Sequence, residues 1–265
     1  MITMRIAMGI EYDGTGYNGW QRQRAGLGVQ EVVEKALAVV ANEAVEIFCA
    51  GRTDSGVHAT YQVVHFDTSA ERTSRNWILG ANSNLPDDIN ACWVRFPPAE
   101  FHARFSAVAR TYRYLILNRL VRSSLFRDRA WWVYPSLDVD LMRQAARGLL
   151  GEHDFSAFRA AGCQAQNVRR RLSQLDIERH GDWLSITVTA NAFLQHMVRN
   201  ISGLLVKIGS GERDPSWSLE VLESRDRTRG GVAAPAHGLT LTGVAYPAEF
   251  DLPAPEQPQL LPGIP

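Results

Sequence analysis

Lysine is nearly missing from this 265-residue chain: Lys35 and Lys207 are the only two among 28 basic side chains. The rest are arginines, the side chain that forks onto phosphate and lies flat on aromatic faces. Cysteine is scarce as well. Cys49, Cys92 and Cys163 are odd in number and far apart, which excludes a disulfide framework and a zinc-ligand pattern. No apolar run approaches the length that spans a bilayer, and no charged start followed by a long apolar stretch marks an export signal. The expectation is a reducing cytoplasm and no membrane partner. Net charge is zero, which by itself argues against a strongly electrostatic nucleic-acid binder.

The distribution of charge argues the other way. Between Phe101 and Pro135 stand Arg104, Arg110, Arg113, Arg119, Arg122, Arg127 and Arg129 against Asp128 alone. Arg159 and the triplet Arg169-Arg170-Arg171 form a second basic stretch, with no compensating carboxylate before Asp176 along the chain. Two local basic tracks on a neutral chain suit a polyanion laid along one face, although arginine used on ordinary solvated surface explains any one of them equally well. With 45% hydrophobic and 21% charged residues, the chain has the composition of a globular protein long enough for one large or two modest domains.

The sequence is organised around Cys49-Ala-Gly-Arg-Thr-Asp-Ser-Gly-Val-His58. A β-prone run, Val45 to Ala50, enters a loop bounded by Gly51 and Gly56, and a second β-prone run, Tyr61 to Thr68, leaves it. Glycines at both ends let the backbone turn sharply and approach a ligand. The loop carries Asp54 two residues after Arg52, and a cation at that spacing favours an ionised carboxylate, a usable nucleophile and a poor proton donor. Read from the residues alone, Asp-Ser-Gly is also an ordinary surface turn.

Upstream, Met4, Ile6, Met8, Ile10 and Tyr12 alternate with smaller or polar residues as a half-buried strand does. Gly14-Thr-Gly16-Tyr-Asn-Gly19 fits the dinucleotide-binding glycine pattern, but the polar stretch Trp20 to Gly28 follows where that fold needs a helix. The first helix begins near Gly28, with Val29, Val32, Val33, Ala36, Leu37 and Val40 in one stripe. A helix over Ser74 to Asn84 and a strand over Ile89 to Phe96 follow. In the second half, Val108 to Asn118 is a strand with Arg110, Tyr112, Tyr114 and Ile116 on one face, a candidate base-stacking surface. Asp138 caps a helix reaching Leu150. Leu172 to His180 and Trp183 to Ala190 form a hairpin turned at Gly181-Asp182. Phe193 to Ile208 is the strongest helix of this half, a short helix covers Pro215 to Glu223, and a last strand ends at Tyr246. The expectation is an α+β fold of two similar domains, 1–105 and 106–250, with a proline-rich tail 251–265.

Gly51-Arg-Thr-Asp-Ser-Gly-Val-His-Ala59 followed by Gln62-Val-Val-His-Phe66 resembles the active-site signature of the tRNA pseudouridine synthase A family. So do Tyr12-Asp-Gly-Thr-Gly-Tyr-Asn-Gly-Trp-Gln21, Phe101-His-Ala-Arg-Phe-Ser-Ala107, Met197-Val-Arg-Asn200 and Ala234-Pro-Ala-His-Gly-Leu239, five motifs spread from Tyr12 to Tyr246. Ser55 stands where an alanine is common in the family, and Tyr61 where smaller residues are.

The resemblance implies antiparallel sheets forming a central cleft with helices on the outer faces, a homodimer, and isomerisation of uridines 38, 39 and 40 in the tRNA anticodon stem-loop. It implies Asp54 as the catalytic carboxylate, attacking the sugar or abstracting a 2′ proton. It places Arg52, Arg199, Tyr112 and Leu239 around the substrate. RNA contact falls to Phe101, His102, Ala103, Arg104 and Phe105, and to Gln164, Ala165, Gln166, Arg169 and Arg170. It implies neither metal nor small-molecule cofactor. Two rivals fit parts of the pattern: a non-catalytic RNA-binding module, and a hydrolase that uses Asp54 on free nucleotides.

Overall fold

The computed structural model describes residues 3–24 and 26–255. Its strands and helices run β1 (Met4–Tyr12), α1 (Val29–Ala41), β2 (Phe48–Cys49), β3 (His58–Thr68), α2 (Ser74–Asn84), β4 (Ile89–Arg95), β5 (Ala109–Asn118), β6 (Trp131–Val133), α3 (Val139–Arg147), β7 (Gly151–Asp154), β8 (Arg169–His180), β9 (Trp183–Ala190), α4 (Met197–Gly209), α5 (Trp217–Ser224) and β10 (Leu239–Ala245). The described residues divide into two compact units, one built from those up to Arg110 and from 241–255, the other from Thr111–Thr240. The divisions fall inside β5 and inside β10, so the last strand returns to the unit in which the chain began. The boundary expected at 105 had no such return. Of the proline-rich tail, residues 256–265 lie outside the described residues.

In the first unit the strands follow the order β4-β1-β3-β10, with β2 against β3. The pairing of β1 with β3 and with β4 is antiparallel, with bulges after Gly9 and Ile10. α2 packs on α1 and β4, and buries Trp77 edge-on to Phe66 at 5.3 Å. The strand expected over Val45 to Ala50 shrinks to two residues. Glu34 of α1 explains part of this, because its buried carboxylate accepts the Ile47 N–H at 3.1 Å and removes it from the ladder.

In the second unit the order is β5-β9-β8-β7. β8 and β9 pair from Leu172–Ala190 to His180–Trp183 around Gly181 at φ 61°, the expected hairpin; β8 starts three residues earlier than expected, at Arg169. β6 runs parallel to β5, a departure from purely antiparallel sheets. Asp138 caps α3 by accepting from the N–H groups of Asp140 and Leu141. That helix stops at Arg147 rather than Leu150, where Gly148 follows. α4 begins at Met197, one turn later than the apolar stripe implies, because His196 sits at φ 62° and cannot belong to a right-handed helix.

The polar centre of this unit is Asn118, 7% exposed. Its amide donates to the carbonyls of Val133 (2.9 Å) and Pro135 (2.6 Å), and its oxygen accepts from Leu137 N–H (3.1 Å) and Arg179 (2.9 Å). Both donors and both lone pairs are used. Asn118→Ala is expected to lower unfolding free energy by ~2–4 kcal/mol in urea titrations. An effect below about 0.5 kcal/mol would mean the turn over 133–137 holds without it.

Candidate active site

Asp54 lies half-buried at the start of a tight turn, in which the Val57 N–H reaches the Asp54 carbonyl at 3.1 Å across Ser55 and Gly56. Gly56 has φ 77°, the left-handed geometry that the third turn position asks of glycine. The loop rests on the glycine-rich segment after β1. Trp20 N–H donates to the Thr53 carbonyl at 3.0 Å, Ser55 Oγ donates to the Tyr17 carbonyl at 3.1 Å, and the Tyr12 and Thr53 hydroxyls meet at 2.8 Å in a buried spot. Gly19 has φ 88°, and a Cβ there would stand 2.7 Å from the Thr53 oxygen and 3.1 Å from the Asp54 carbonyl carbon. At Gly14 the Val57 carbonyl oxygen would be 2.0 Å away, whereas Gly16 has nothing within 4 Å. Two of the three glycines thus serve close backbone approach, and they do so for the Asp54 loop rather than for a pyrophosphate.

Ala50 and Gly51, which lead from β2 into the loop, are held as well. Gln62, fully buried in β3, donates to the Gly51 carbonyl at 2.6 Å and accepts the Gly51 N–H at 3.4 Å. Arg110, 9% exposed, donates to the Ala50 carbonyl through Nη2 (3.0 Å) and Nε (3.3 Å), and reaches the carbonyls of Arg104 (2.6 Å) and Ala107 (3.0 Å). Arg110 is therefore a brace under the loop and not part of an exposed base-stacking face. Arg52 points outward and is exposed.

The other expected site residues belong to the second unit. Tyr112 is 8% exposed and meets Phe193 edge-on at 5.2 Å. Arg199 is half-buried; its Nε donates to the Ala234 carbonyl at 2.8 Å while the Ala234 N–H returns a bond to the Arg199 carbonyl at 3.0 Å. Leu239 is buried, and the segment before it is fixed by Tyr114, whose hydroxyl donates to the Pro235 carbonyl at 2.7 Å. Tyr114 is fully buried and is core, not a stacking surface. Burial pushes its hydroxyl well above the usual range, against a smaller opposing effect of Arg199.

The model of the family described as tRNA pseudouridine synthase matches residues 8–106 and 145–247. Curated proteins named tRNA pseudouridine synthase A match over nearly the whole length. The Methylococcus capsulatus protein is 53% identical across 94% of this chain and 92% of its own. That of Vibrio parahaemolyticus is 52% identical across 98% of both, and that of Pseudomonas aeruginosa 51% across 98% of this chain and 92% of its own. The chain belongs to the tRNA pseudouridine synthase family. A solved structure titled "Crystal Structure of a Cbf5-Nop10-Gar1 Complex" aligns with a TM-score of 0.36 at 12% identity over 76% of this chain and 45% of that one, too loose a likeness to bear on the site.

Against that family background, the two segments expected to meet RNA divide by exposure. Phe101 and Ala103 are fully buried and anchor their segment, Ala103 N–H donating to His65 Nδ1 at 3.1 Å; Arg104 and Phe105 are exposed. In the other segment Gln164, Gln166 and Arg169 are exposed, Ala165 and Arg170 half-buried. The arginine triplet is less bare than its sequence implies, since β8 lies beside β7 and Arg169 meets Glu152 at 3.1 Å. Compensation comes from across the sheet. In the first basic track, Arg122 and Arg127 line a cavity of about 360 Å³ with Trp132 and His237. Among the described residues no group of three or more His, Cys, Asp or Glu could hold a metal ion, and no helix is long and apolar enough to cross a membrane.

Two residues that the sequence reading passed over do much of the positioning, Gln62 and Thr53. A glutamine inside the apolar run of β3 was the available signal for the first; a threonine beside the carboxylate carried none.

Burial pushes His65 down to about 4 from 6.5, with smaller contributions from His102 and Arg5, and burial also lowers His102. The unfolded chain therefore binds protons on these rings at a pH where the folded chain does not, and stability falls as pH falls from about 6.5 to about 4. The expected result is a steeper loss of urea resistance over that window in the wild type than in His65→Asn, whose side-chain oxygen can still accept the Ala103 N–H. Equal slopes would remove His65 as the cause.

Gly19→Ala is expected to cost ~1–3 kcal/mol through the strained φ and the clash with Thr53, while Gly16→Ala changes stability by less than about 0.5 kcal/mol. Chemical denaturation of the pair checks this, and equal costs would contradict the close-approach reading.

Proposed function

We propose that this chain converts uridine to pseudouridine at positions 38, 39 and 40 of the tRNA anticodon stem-loop, with Asp54 as the carboxylate that opens the glycosidic bond. The observation that carries the reading is the Asp54 loop: it bears the family signature, in a chain similar to synthase A proteins over at least 94% of its length, and its backbone is clamped from both sides.

The reaction breaks the bond from uracil N1 to ribose C1′, turns the base, and joins C5 to C1′; the C5 proton leaves and N1 gains one, so nothing is added to the nucleotide. Asp54 serves either by attacking C1′ or by taking the 2′ proton. The target base leaves its stack first, at a cost of a few kcal/mol offset by phosphate and stacking contacts. Arg52 and Arg199 aim the carboxylate or hold a displaced phosphate. Tyr112 lies on the uracil and assists loss of the C5 proton, and Leu239 supplies an apolar wall. The reading asks residues of both units to serve one nucleotide. It includes two similar domains with a central cleft, RNA contact through Arg104, Phe105, Gln164, Gln166, Arg169 and Arg170, a homodimer, and a cytoplasmic setting where tRNA is found.

Unmodified tRNA carrying tritium at uridine C5 tests the chemistry. Release is expected from the wild type and at least a thousandfold slower release, about 4 kcal/mol in the barrier, from Asp54→Asn. No release from the wild type would leave the RNA-binding module standing; release from Asp54→Asn at the wild-type rate would remove Asp54 from the reaction. Turnover of free uridine nucleotides would favour a small-substrate hydrolase.

A further inference from the structure

The register of β1 with β3 ends at Tyr12 opposite Ala59, and from there the two chains part into the glycine-rich segment and the Asp54 loop. His58, the first residue of β3 and 3% exposed, lies at this fork. Its Nδ1 accepts the Gly14 N–H at 3.0 Å and stands 3.0 Å from Asp13 Oδ1. The step that the ring meets is itself fixed. Asp13 Oδ1 accepts from the Thr15 N–H (3.0 Å) and hydroxyl (2.7 Å), and the Asp13 N–H donates to the Asp88 carbonyl at 2.9 Å.

One ring nitrogen serves this step in either proton state. Unprotonated, Nδ1 is an acceptor for Gly14; protonated, it is a donor to the Asp13 carboxylate. The contact falls just past the Asp54–Val57 turn, where the chain leaves the loop. The other holds act earlier along the loop: Gln62 and Arg110 on Gly51 and Ala50, Trp20 on Thr53, and the Tyr17 carbonyl on Ser55. Gly56 gives the exit the freest backbone of the loop, so a bond from the next polar side chain is what limits how far the turn can swing. Buried as it is, that side chain has no face to offer RNA.

We propose that His58 is a positioning residue for the isomerisation: through Nδ1 it ties the exit of the Asp54 loop to the Asp13-Gly14 step, and so sets where the Asp54 carboxyl group meets the uridine. The proposal rests on the function proposed above and gives the histidine of the signature a task of its own.

The experiment uses the full chain and unmodified tRNA carrying tritium at uridine C5, with His58→Asn, His58→Gln and His58→Leu beside the wild type. Asparagine puts an amide where Nδ1 stands, able to accept from Gly14 or to donate to Asp13. Glutamine puts the same amide one methylene further out, and leucine has none. Tritium release at saturating tRNA gives kcat, fluorescence anisotropy gives the tRNA dissociation constant, and urea titration gives the folded fraction. His58→Gln and His58→Leu are expected to lower kcat about 10- to 100-fold, as a misplacement of about 1 Å does. Their dissociation constants stay within about twofold of wild type, the pattern of an interaction that matters only in the transition state. His58→Asn recovers most of the lost rate.

A merely structural histidine moves the urea midpoint and leaves kcat per folded molecule alone. That result overturns the proposal, as do an asparagine variant as slow as the glutamine one, a loss confined to tRNA affinity, or failure of both His58→Gln and His58→Leu to fold. The two readings separate cleanly. Release by the wild type, none by Asp54→Asn and full release by His58→Gln remove the positioning role alone; no release by the wild type, or full release by Asp54→Asn, removes the function on which it rests.

Discussion

Main-chain contact between two loops sets the position of Asp54. The Trp20 N–H grips the Thr53 carbonyl, and Gly14 and Gly19 leave room for the backbone of Val57 and of Thr53 to Ser55 to lie against theirs. From the opposite side the Gln62 amide and the Arg110 guanidinium take the polar groups of Gly51 and Ala50. Backbone contacts of this kind fix where the loop carries the Asp54 carboxyl group without relying on any single side-chain bond. The cost appears elsewhere, as glycines that lower the chain's resistance to unfolding and as a buried cation that must be surrounded by carbonyl dipoles.

That arrangement explains why the glycine pattern after β1 can mimic a dinucleotide fold. Both need backbone to approach something closely. In a Rossmann turn the approaching group is a pyrophosphate and the helix follows at once; here it is another stretch of the same chain, and α1 waits until Val29. Gly16, with open space around it, completes the pattern by coincidence of spacing.

Local signals in the sequence were legible where one short-range cause decides the structure. α2 falls on its expected bounds because Thr73 caps it through the Asn76 N–H and Leu85 precedes a proline. The β8–β9 hairpin follows from Gly181-Asp182, and the α3 start from Asp138. Errors came where a distant group intervened or where a residue took a backbone conformation that its type does not announce. Glu34 takes the Ile47 N–H and shortens the entry strand, and His196 adopts a left-handed backbone that removes the first turn of α4. The arginine triplet looked uncompensated because Glu152 is distant in sequence and adjacent in the sheet. At the candidate site, Asp54 and Arg52 were visible through motif and turn residues, whereas Gln62 was marked only by its polarity inside an apolar strand and Arg110 acts through carbonyls that no side-chain pattern marks.

The second unit repeats this reliance on main chain. Tyr112 and Tyr114 share one face of β5 by strand alternation, yet they have different surroundings. Tyr114 is closed over by Pro235, to which it donates, and by Gly238, where a Cβ would stand 2.7 Å from its ring. Tyr112 has Phe193 at its edge and keeps a narrow exposed margin. A glycine at 238 therefore lets the strand's inner tyrosine become a post that carries the chain into Leu239, while Arg199 holds the other end of the same segment through its paired bonds with Ala234. Any larger residue at 238 must displace the Tyr114 ring or the Leu115 carbonyl, so the course of the chain into Leu239 depends on a residue that has no side chain of its own.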